Sequence, residues 1–240
     1  MNAQSPDKTL VASLCVGNDQ RLRASQPFQR AYAEKYGHPY HLIDRERFRV
    51  RPNLLKKRRV GYHMEKFQLH GLLGDFDRIL FLDADVIPTA DAPDLLAEVP
   101  VGMWGSVREP RGENDPKLRE ELERMAKRLG ELPADSWKRY FNSGVMVFDR
   151  SHRPIWEWKP EEVFSGRWPE QTLLNYRILS SKTPVHELED RYNYAPQRGP
   201  EWEDATVRRK AFFIHYAGQP AKAVMENDLA FLRTQWGISE

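Results

Sequence analysis

The sequence predicts one α/β domain whose central sheet is mixed but mostly parallel and is flanked by helices. Three observations indicate this class. The chain opens with a strand, a helix and a second strand, which is the usual start of a parallel sheet. The apolar run Ile79–Leu82 is typical of a strand buried on both faces. A length of 240 residues is also compatible with a single domain.

The opening elements favour a nucleotide at the edge of the sheet. Thr9–Val16 is an apolar run of strand length, and Gly17-Asn18-Asp19 is a turn that leads into a helix ending at Gly37. Tyr40–Ile43 is the second strand. No glycine-rich phosphate fingerprint is present. A dinucleotide site is therefore disfavoured, and a mononucleotide held by side chains and single amides is favoured.

The segment before the central strand is basic and ends in the run Lys56–Arg59. A run this short is usually a solvated loop. The functional interpretations of this basic run are contact with phosphate and attraction to an anionic membrane or acceptor. A helix from about Gly61 to Leu73 follows, and its pattern places Met64 and Phe67 on one face and Lys66 on another.

Two carboxylates come directly after the central strand. Asp83 and Asp85 follow Ile79–Leu82, and Pro88 prevents the strand from continuing as a central one. Ligands of open α/β sheets bind just outside the carboxyl ends of the strands. Carboxylates one residue apart can share one divalent cation, which in turn can hold a diphosphate. We therefore expect the chemistry of this protein to be centred on these two acids.

The second half of the chain continues the alternation and supplies further polar residues. Asn142 and Gly144 stand at the start of a buried strand, and the Asn142 amide could bond two hydroxyl groups of a sugar. His215 follows the last predicted strand and offers an imidazole. The predicted elements are a helix over Asp91–Glu98, a strand over Gly102–Val107, a helix over Pro116–Leu129, a strand over Ser143–Phe148, a helix carrying Leu173, Leu174 and Tyr176, a loop over Arg191–Asp204 and a strand over Ala211–Ile214.

Composition excludes several classes of protein. A net charge of +2 is too small to indicate a nucleic-acid partner. The single cysteine, Cys15, excludes an internal disulfide and a zinc site built from several thiolates. No apolar run approaches the roughly 20 residues that span a bilayer, and Met1–Lys8 lacks the pattern of a signal peptide. We expect a cytoplasmic protein, with peripheral contact to the inner membrane face as a further option.

The chain is rich in aromatic residues, with seven Trp and nine Tyr. This content is compatible with stacking on sugars or bases and equally with an ordinary core. The tryptophans from Trp156 to Trp168 and the loop near Trp202 are the candidates for an acceptor platform.

Four segments, taken together, resemble the successive motifs of glycosyltransferase family eight. They are Arg-Ile-Leu-Phe-Leu-Asp-Ala-Asp at 78 to 85, Phe-Asn-Ser-Gly-Val-Met-Val-Phe at 141 to 148, Glu-Gln-Thr-Leu-Leu-Asn at 170 to 175, and Ile-His-Tyr-Ala-Gly at 214 to 218. The resemblance covers roughly Leu10 to Lys222. It implies a GT-A fold over 1–240, with a nucleotide-binding half at about 9–107 and a half for donor sugar and acceptor at about 108–225. The opening Tyr32–Tyr40 also resembles family thirty-four.

The resemblance also implies roles for particular residues. The metal ligands would be Asp83, Asp85 and His215, and the ion would be Mn²⁺, with Mg²⁺ as the alternative. Nucleotide and diphosphate would be contacted by Val16, Gly17, Asn18, Lys66, Asp83, Ala84, Asp85, Gly218 and Lys222. The donor sugar would be held by Asn142, with Glu170 and Gln171 flanking the anomeric carbon. Two positions depart from the family: Ala221 stands where a lysine is usual, and Glu170 where an aspartate is common.

The implied activity is a metal-dependent retaining transfer of a hexose or pentose. The donor would be a nucleotide-diphosphate sugar, most simply a UDP-sugar, and the acceptor a hydroxyl of a glycan, a lipid-linked molecule or a protein. Two alternatives remain from the sequence. A phosphatase of the haloacid dehalogenase type also places Asp-x-Asp after an apolar strand, although near the chain start and with a downstream acidic pair. The second alternative is a carbohydrate-binding protein that has the same fold but no catalytic activity.

Overall fold

A computed structural model describes residues 7–17, 23–48, 62–109, 115–163 and 166–239. Its strands are β1 (Thr9–Leu14), β2 (Tyr40–Ile43), β3 (Arg78–Asp83), β4 (Val86–Pro88), β5 (Trp104–Arg108), β6 (Phe141–Asp149), β7 (Val185–Leu188) and β8 (Phe213–His215). Its α-helices are α1 (Gln26–Lys35), α2 (Leu69–Asp75), α3 (Leu95–Glu98), α4 (Pro116–Leu129), α5 (Pro169–Ser180), α6 (Ala205–Arg208) and α7 (Gln219–Trp236). Short 3₁₀ helices cover Tyr62–Gln68, Ser136–Arg139, Arg150–Trp156, Pro160–Glu162, Asp190–Tyr192, Pro196–Arg198 and Pro200–Glu203.

The main sheet has six strands in the order β2-β1-β3-β6-β5-β7. Its neighbours pair in parallel except on both sides of β6, which runs antiparallel to β3 and β5. The expected mixed, mostly parallel sheet is therefore confirmed. Because β6 is reversed, its first residues lie at the edge where β1 and β3 end, and Leu82 pairs with Val145. This reversal brings the start of β6 beside the carboxylates that follow β3.

Apolar residues on both faces of the sheet form the core. One buried cluster contains Leu10, Phe81 and Phe148 together with α4 and α5, and a second contains Val11, Leu80 and α3. Consecutive residues of β1 and β3 thus point into different clusters, as expected for strands covered by helices on both sides. The apolar runs of β1 and β3 are continuous in the sequence because side chains on both faces of these strands are buried.

Helix α4 shows how local sequence sets an element. The Asp115 side chain accepts a hydrogen bond from the Lys117 amide at the start of the helix, and Pro116 occupies its first turn. Leu118, Leu122 and Met125 are buried at helical spacing. The helix spans the range that the sequence predicts.

Four of the strands and α-helices were not predicted, namely β4, β7, α6 and α7. Strand β7 is short, with a partly exposed pattern, and forms the edge of the sheet beside β5. Helix α7 buries Ala221, Met225 and Leu232 at helical spacing, but its buried stripe also includes Asp228. An acid on the buried face makes the amphipathic pattern of this helix hard to recognise in the sequence. Its burial depends on partners that lie elsewhere in the chain. Asp228 receives hydrogen bonds from Arg208, Arg209 and Tyr216.

Candidate functional site

A cavity of about 800 Å³ opens at the edge of the sheet where β1 and β3 end and β6 begins. Most of the residues that the sequence selects line it: Val16, Lys66, Asp83, Ala84, Asp85, Asn142, Glu170, Gln171, His215, Gly218 and Lys222. Gly17 lies next to Val16, with its α-carbon facing the ring of Tyr62. Asn18 and the basic run Lys56–Arg59 lie outside the described residues. The structure therefore gathers residues from both halves of the chain around one space.

The turn between Asp83 and Val86 is held by hydrogen bonds to its backbone carbonyls. Ser25 Oγ donates to the Ala84 carbonyl at 2.6 Å. Gln29 Nε2 donates to the carbonyls of Asp83 at 3.0 Å and Val86 at 2.8 Å. These contacts hold the backbone of the turn that carries both acids. Sequence reasoning missed Ser25 and Gln29, because nothing local marks them as contacts of a turn so far along the chain.

His215 reaches Asp85 through a second, two-stranded sheet. Strands β4 and β8 pair in antiparallel fashion with Val86 opposite His215. The imidazole Nε2 then lies 3.3 Å from Asp85 Oδ1. One ligand atom each from Asp83, Asp85 and His215 lies within 4.8 Å of the others. The three predicted metal ligands thus share one corner of the cavity.

This cluster fits a hard divalent cation. Two carboxylates and one imidazole form a donor set with no thiolate, which suits Mn²⁺ or Mg²⁺ better than zinc when phosphate oxygens complete it. The imidazole Nδ1 is hydrogen-bonded to Asn193 Oδ1 at 2.8 Å, so Nε2 is the nitrogen that faces the acids. An outer partner of this kind is typical of histidines that bind metals.

The charges around Asp85 hold it ionised. Burial alone would raise the pKa of Asp85, but the His215 imidazole and then the Lys222 ammonium lower it below its ordinary value. Burial likewise lowers the pKa of His215, but Asp85 and then Asp83 raise it, and the net shift is upward. The acid and the imidazole therefore stabilise each other's charged forms when no cation lies between them.

Lys66 is a buried cation between two acids. Its Nζ lies 3.0 Å from Asp83 Oδ1 and 3.4 Å from Glu170 Oε1, and it donates to the Ser143 carbonyl at 3.0 Å. Burial lowers the pKa of Lys66, but Asp83 and Glu170 outweigh this and raise it, so the ammonium stays charged. Met64 and Phe67 pack in the core whereas Lys66 lines the cavity, as the pattern predicts, but the segment Tyr62–Gln68 is a 3₁₀ helix and not the start of an α-helix.

Helix α5 begins at the cavity with an acid and an amide. Burial raises the pKa of Glu170 although Lys66 lies close by. The Glu170 Oε1 atom is buried and accepts no hydrogen bond among the described residues. Gln171 Oε1 accepts a hydrogen bond from the Ser143 amide at 3.0 Å, which fixes the Gln171 carbonyl group. Glu170 Oε1, which forms an ion pair with Lys66 at 3.4 Å, and Gln171 Nε2 are the side-chain atoms at this helix start that have no hydrogen-bond partner among the described residues.

The start of helix α7 forms another wall. Gly218 precedes this helix with a φ of 89°, a left-handed conformation that favours glycine. Ala221 is buried in the apolar cluster beneath the helix, whereas Lys222 lines the cavity. A lysine at the position usual for the family would therefore point into the core here. The shift of the lysine by one residue is explained by the orientation of the helix.

Two cavity residues that were not foreseen are Tyr62 and Arg167, whereas Trp168, a candidate for the acceptor platform, also lines the cavity. The Arg167 guanidinium lies 4.5 Å from the centre of the Trp168 ring. The expected platform was wrong for Trp156 and Trp202, which are 0% and 1% exposed and pack in the core. Trp158 and Trp168 are both half-buried, and of these two Trp168 lines the cavity.

Comparison with known proteins gives a consistent family and fold. The sequence model of glycosyl transferase family 8 matches residues 30–223. No curated protein sequence matches the chain. Among the described residues, no helix is both long enough and apolar enough to cross a membrane.

Three solved structures share the fold at low sequence identity. A glycosyltransferase involved in glycosylation of the major capsid of PBCV-1 has a TM-score of 0.58 at 14% identity, over 93% of this chain and 98% of that one. The galactosyltransferase LgtC, in complex with donor and acceptor sugar analogues, has a TM-score of 0.58 at 13% identity, over 94% of this chain and 95% of that one. WbbM, a bifunctional glycosyltransferase, has a TM-score of 0.63 at 13% identity, over 99% of this chain and 52% of that one.

Proposed function

The chain belongs to glycosyltransferase family 8 and has the GT-A fold, and from this we propose that it moves a hexose or pentose from a UDP-sugar to an acceptor hydroxyl, with retention of anomeric configuration. One observation carries the proposal. Ligand atoms of Asp83, Asp85 and His215 lie within 4.8 Å of one another in a cavity whose volume is in the usual range for ligand sites.

Mn²⁺ is the proposed metal, with Mg²⁺ as the alternative, and Asp83, Asp85 and His215 are its proposed ligands. When bound, a divalent cation stabilises the negative charge that grows on the departing diphosphate. The proposal is supported by the donor set and by the hydrogen bond that leaves His215 Nε2 facing the acids.

The diphosphate is proposed to lie between Lys66, Lys222 and the start of helix α7 at Gly218. The first amides of a helix and its dipole attract anions. Lys222 supplies a charge on the same side, where it already lowers the pKa of Asp85. Lys66 is saturated by protein oxygens, so its contribution to the diphosphate is chiefly through its charge.

The nucleobase is proposed to lie near Val16, Gly17 and Asn18, with Ala84 beside the ribose and phosphates. In this arrangement residues 9–107 form the nucleotide-binding half, and residues 108–225 hold the donor sugar and the acceptor. Trp168, which lines the cavity, is the proposed apolar surface for a sugar ring. The acceptor is a glycan, lipid-linked or protein hydroxyl group.

The donor sugar is proposed to contact Asn142, Glu170 and Gln171. Apart from the proposed metal ligands Asp85 and His215, no general base is paired with an acid among the described cavity residues, which fits retention rather than inversion. In a same-face transfer, the sugar–phosphate bond breaks as the acceptor oxygen bonds the anomeric carbon, and a phosphate oxygen takes the acceptor proton. If a covalent intermediate forms instead, Glu170 is the nucleophile, because the Gln171 carbonyl oxygen is bound to the Ser143 amide.

A screen of nucleotide sugars for metal-dependent hydrolysis tests this proposal. We expect one UDP-sugar to be hydrolysed with Mn²⁺ and not in excess chelator, and the Asp85→Ala variant to be inactive. Release of inorganic phosphate from phosphate monoesters would favour the phosphatase alternative, which family membership opposes. Glycan binding without nucleotide, metal or turnover would identify a carbohydrate-binding protein.

A further inference from the structure

His215 is joined to the start of strand β6 by a chain of buried hydrogen bonds. The imidazole Nδ1 lies 2.8 Å from Asn193 Oδ1. Asn193 Nδ2 donates to Asn142 Oδ1 at 2.9 Å, and the Gly144 backbone amide donates to the same oxygen at 2.9 Å. Asn142, Asn193 and His215 are 7%, 1% and 5% exposed. Water therefore has little access to these groups, and each depends on its protein partners.

The direction of every bond in this chain follows from its first member. A backbone amide can only donate, so Asn142 must turn its oxygen toward Gly144. Asn193 meets that same oxygen and must present its NH₂ group there. Its carbonyl oxygen then faces His215 and can only accept. The proton of a neutral His215 ring is thereby placed on Nδ1.

The contact of Asn142 Nδ2 at the other end of this series of hydrogen bonds requires the same amide orientation. Asn142 Nδ2 donates to Glu109 Oε2 at 3.1 Å, so the amide that turns its oxygen to Gly144 turns its nitrogen to a carboxylate. Glu109 is buried, at 2% exposed. A flipped Asn142 amide would turn its NH₂ group toward two donors, Gly144 N–H and Asn193 Nδ2, and its oxygen toward the Glu109 carboxylate. Both contacts would be repulsive, so this orientation is disfavoured. Both ends therefore select one orientation.

Gly144 also fixes the plane of the imidazole. A Cβ atom built on Gly144 would lie 2.4 Å from His215 Cε1 and 2.7 Å from Nδ1. The ring thus packs directly on the backbone of β6, and Asn193 holds its edge. With Nδ1 held by Asn193, Nε2 is the nitrogen that faces Asp85 Oδ1, 3.3 Å away.

We propose that Asn193 is a positioning residue that sets the tautomer and orientation of His215, through a hydrogen-bond chain that starts at the Gly144 amide and passes through Asn142. The inference rests on the proposed role of His215 as a metal ligand. An imidazole whose Nδ1–H is held by Asn193 needs to lose only its Nε2 proton to present a metal-binding lone pair on the side of Asp85. Asn142, which lies in the family motif at 141 to 148, thereby orients Asn193 in addition to its proposed contact with the sugar.

Nitrogen NMR of histidine-labelled, metal-free protein tests the tautomer directly. The pH is set high enough for a neutral ring, and the His215→Ala variant identifies the signals of this residue among the seven histidines. We expect the Nδ1–H tautomer in the wild type and its loss in Asn193→Leu. The Asn193→Asp variant keeps an acceptor opposite Nδ1 and should keep the tautomer. An Nε2–H ring in the wild type would overturn the inference.

Metal affinity gives a second readout with a matched control. Mn²⁺ is titrated in the presence of UDP, and we expect Asn193→Leu to bind it about 10- to 100-fold more weakly. Asn175→Leu is the control, because Asn175 is also a buried amide that holds the backbone of β6, at Phe141, but makes no hydrogen bond to Asp83, Asp85 or His215. Equal weakening in both variants would show a general packing effect and overturn the inference.

The two readouts separate this inference from the proposed function. If the wild type binds no Mn²⁺ with UDP, the metal-dependent function fails, whereas the tautomer measurement still decides the role of Asn193. If Mn²⁺ binds and the tautomer does not respond to Asn193→Leu, the function stands and the positioning role fails.

Discussion

Val86 and His215 stand directly opposite each other in the antiparallel pair of β4 and β8. Because Asp85 is the neighbour of Val86, this pairing carries the imidazole to within 3.3 Å of the Asp85 carboxylate. The Tyr216 amide also donates to the Asp85 carbonyl at 2.8 Å. The candidate metal cluster thus depends on two strands of three residues each, outside the main sheet.

Adding one methyl group at Gly144 is expected to displace the imidazole. In Gly144→Ala the new carbon would overlap His215, and the strand position leaves only small shifts to relieve it. We expect a loss of about 1–3 kcal/mol in the free energy of unfolding and Mn²⁺ binding about tenfold weaker or more. Urea unfolding and a Mn²⁺ titration with UDP measure the two effects.

The matched substitution is Gly71→Ala in helix α2. An added Cβ at Gly71 meets nothing within 4 Å, and the helical backbone suits alanine. We expect an increase in stability of up to about 1 kcal/mol and unchanged Mn²⁺ binding. A Gly144→Ala variant that binds Mn²⁺ as well as Gly71→Ala does would contradict the packing of His215 on β6.

Removing the buried ammonium is expected to separate catalysis from metal binding. Lys66→Met leaves Asp83 and Glu170 without their shared counter-ion. We expect turnover to fall about 100-fold or more, because a positive charge beside the departing diphosphate is lost. Mn²⁺ affinity should not weaken, since the substitution removes a repelling charge from the neighbourhood of the cation. Parallel kinetics and Mn²⁺ titrations would refute this account if both quantities fell together.

The buried acid of helix α7 is expected to stabilise the fold at neutral pH. Asp228 is 0% exposed and pairs with Arg208 at 2.7 Å. In Asp228→Asn, the Arg208 charge stays buried without its partner. We expect a loss of about 3–5 kcal/mol in the free energy of unfolding at neutral pH.

The same pair predicts the dependence of stability on pH. Burial raises the pKa of Asp228, but its hydrogen bonds from Arg208, Arg209 and Tyr216 lower it to below the ordinary value. A lowered folded-state pKa gives stability that is present above the unfolded-state pKa and is lost as pH falls through the folded-state one. The gap between wild type and Asp228→Asn should therefore narrow between about pH 5 and pH 2. Urea midpoints across this range that kept a constant gap would contradict the assignment.

The elements with a strong local signal were predictable. The apolar runs of β1, β3 and β6 and the amphipathic pattern of α4 each depend on residues close in sequence, and the structure has them where the sequence predicts them, with ends that differ by a few residues. Asp83, Asp85 and His215 were selected from motifs, and the structure brings them together. The family motifs identified these three residues, which hydrophobic periodicity alone does not indicate.

The missed features depend on contacts between distant segments. The buried Lys66 ammonium is compensated by Asp83 and Glu170, and the buried Asp228 carboxylate by Arg208. Helical periodicity alone therefore did not reveal the burial of Lys66 and missed the helix that carries Asp228. Asn193 lies in a segment that the sequence presents as a plain loop, and its partners come from β6 and β8. Hydrogen bonds of this kind leave no pattern in one sequence.

Calorimetry of UDP binding with and without Mn²⁺, on the wild type and on Asp85→Ala, tests the central claim most directly. The Asp85 side chain lines the cavity and is 18% exposed, and His215 can lose its proton when the acid is removed, so the substitution should leave the fold intact. We predict that the wild type binds UDP only when Mn²⁺ is present and that Asp85→Ala binds UDP in neither condition. UDP binding by the wild type that is equally tight in excess chelator, or by Asp85→Ala with Mn²⁺, would contradict a metal site at Asp83, Asp85 and His215.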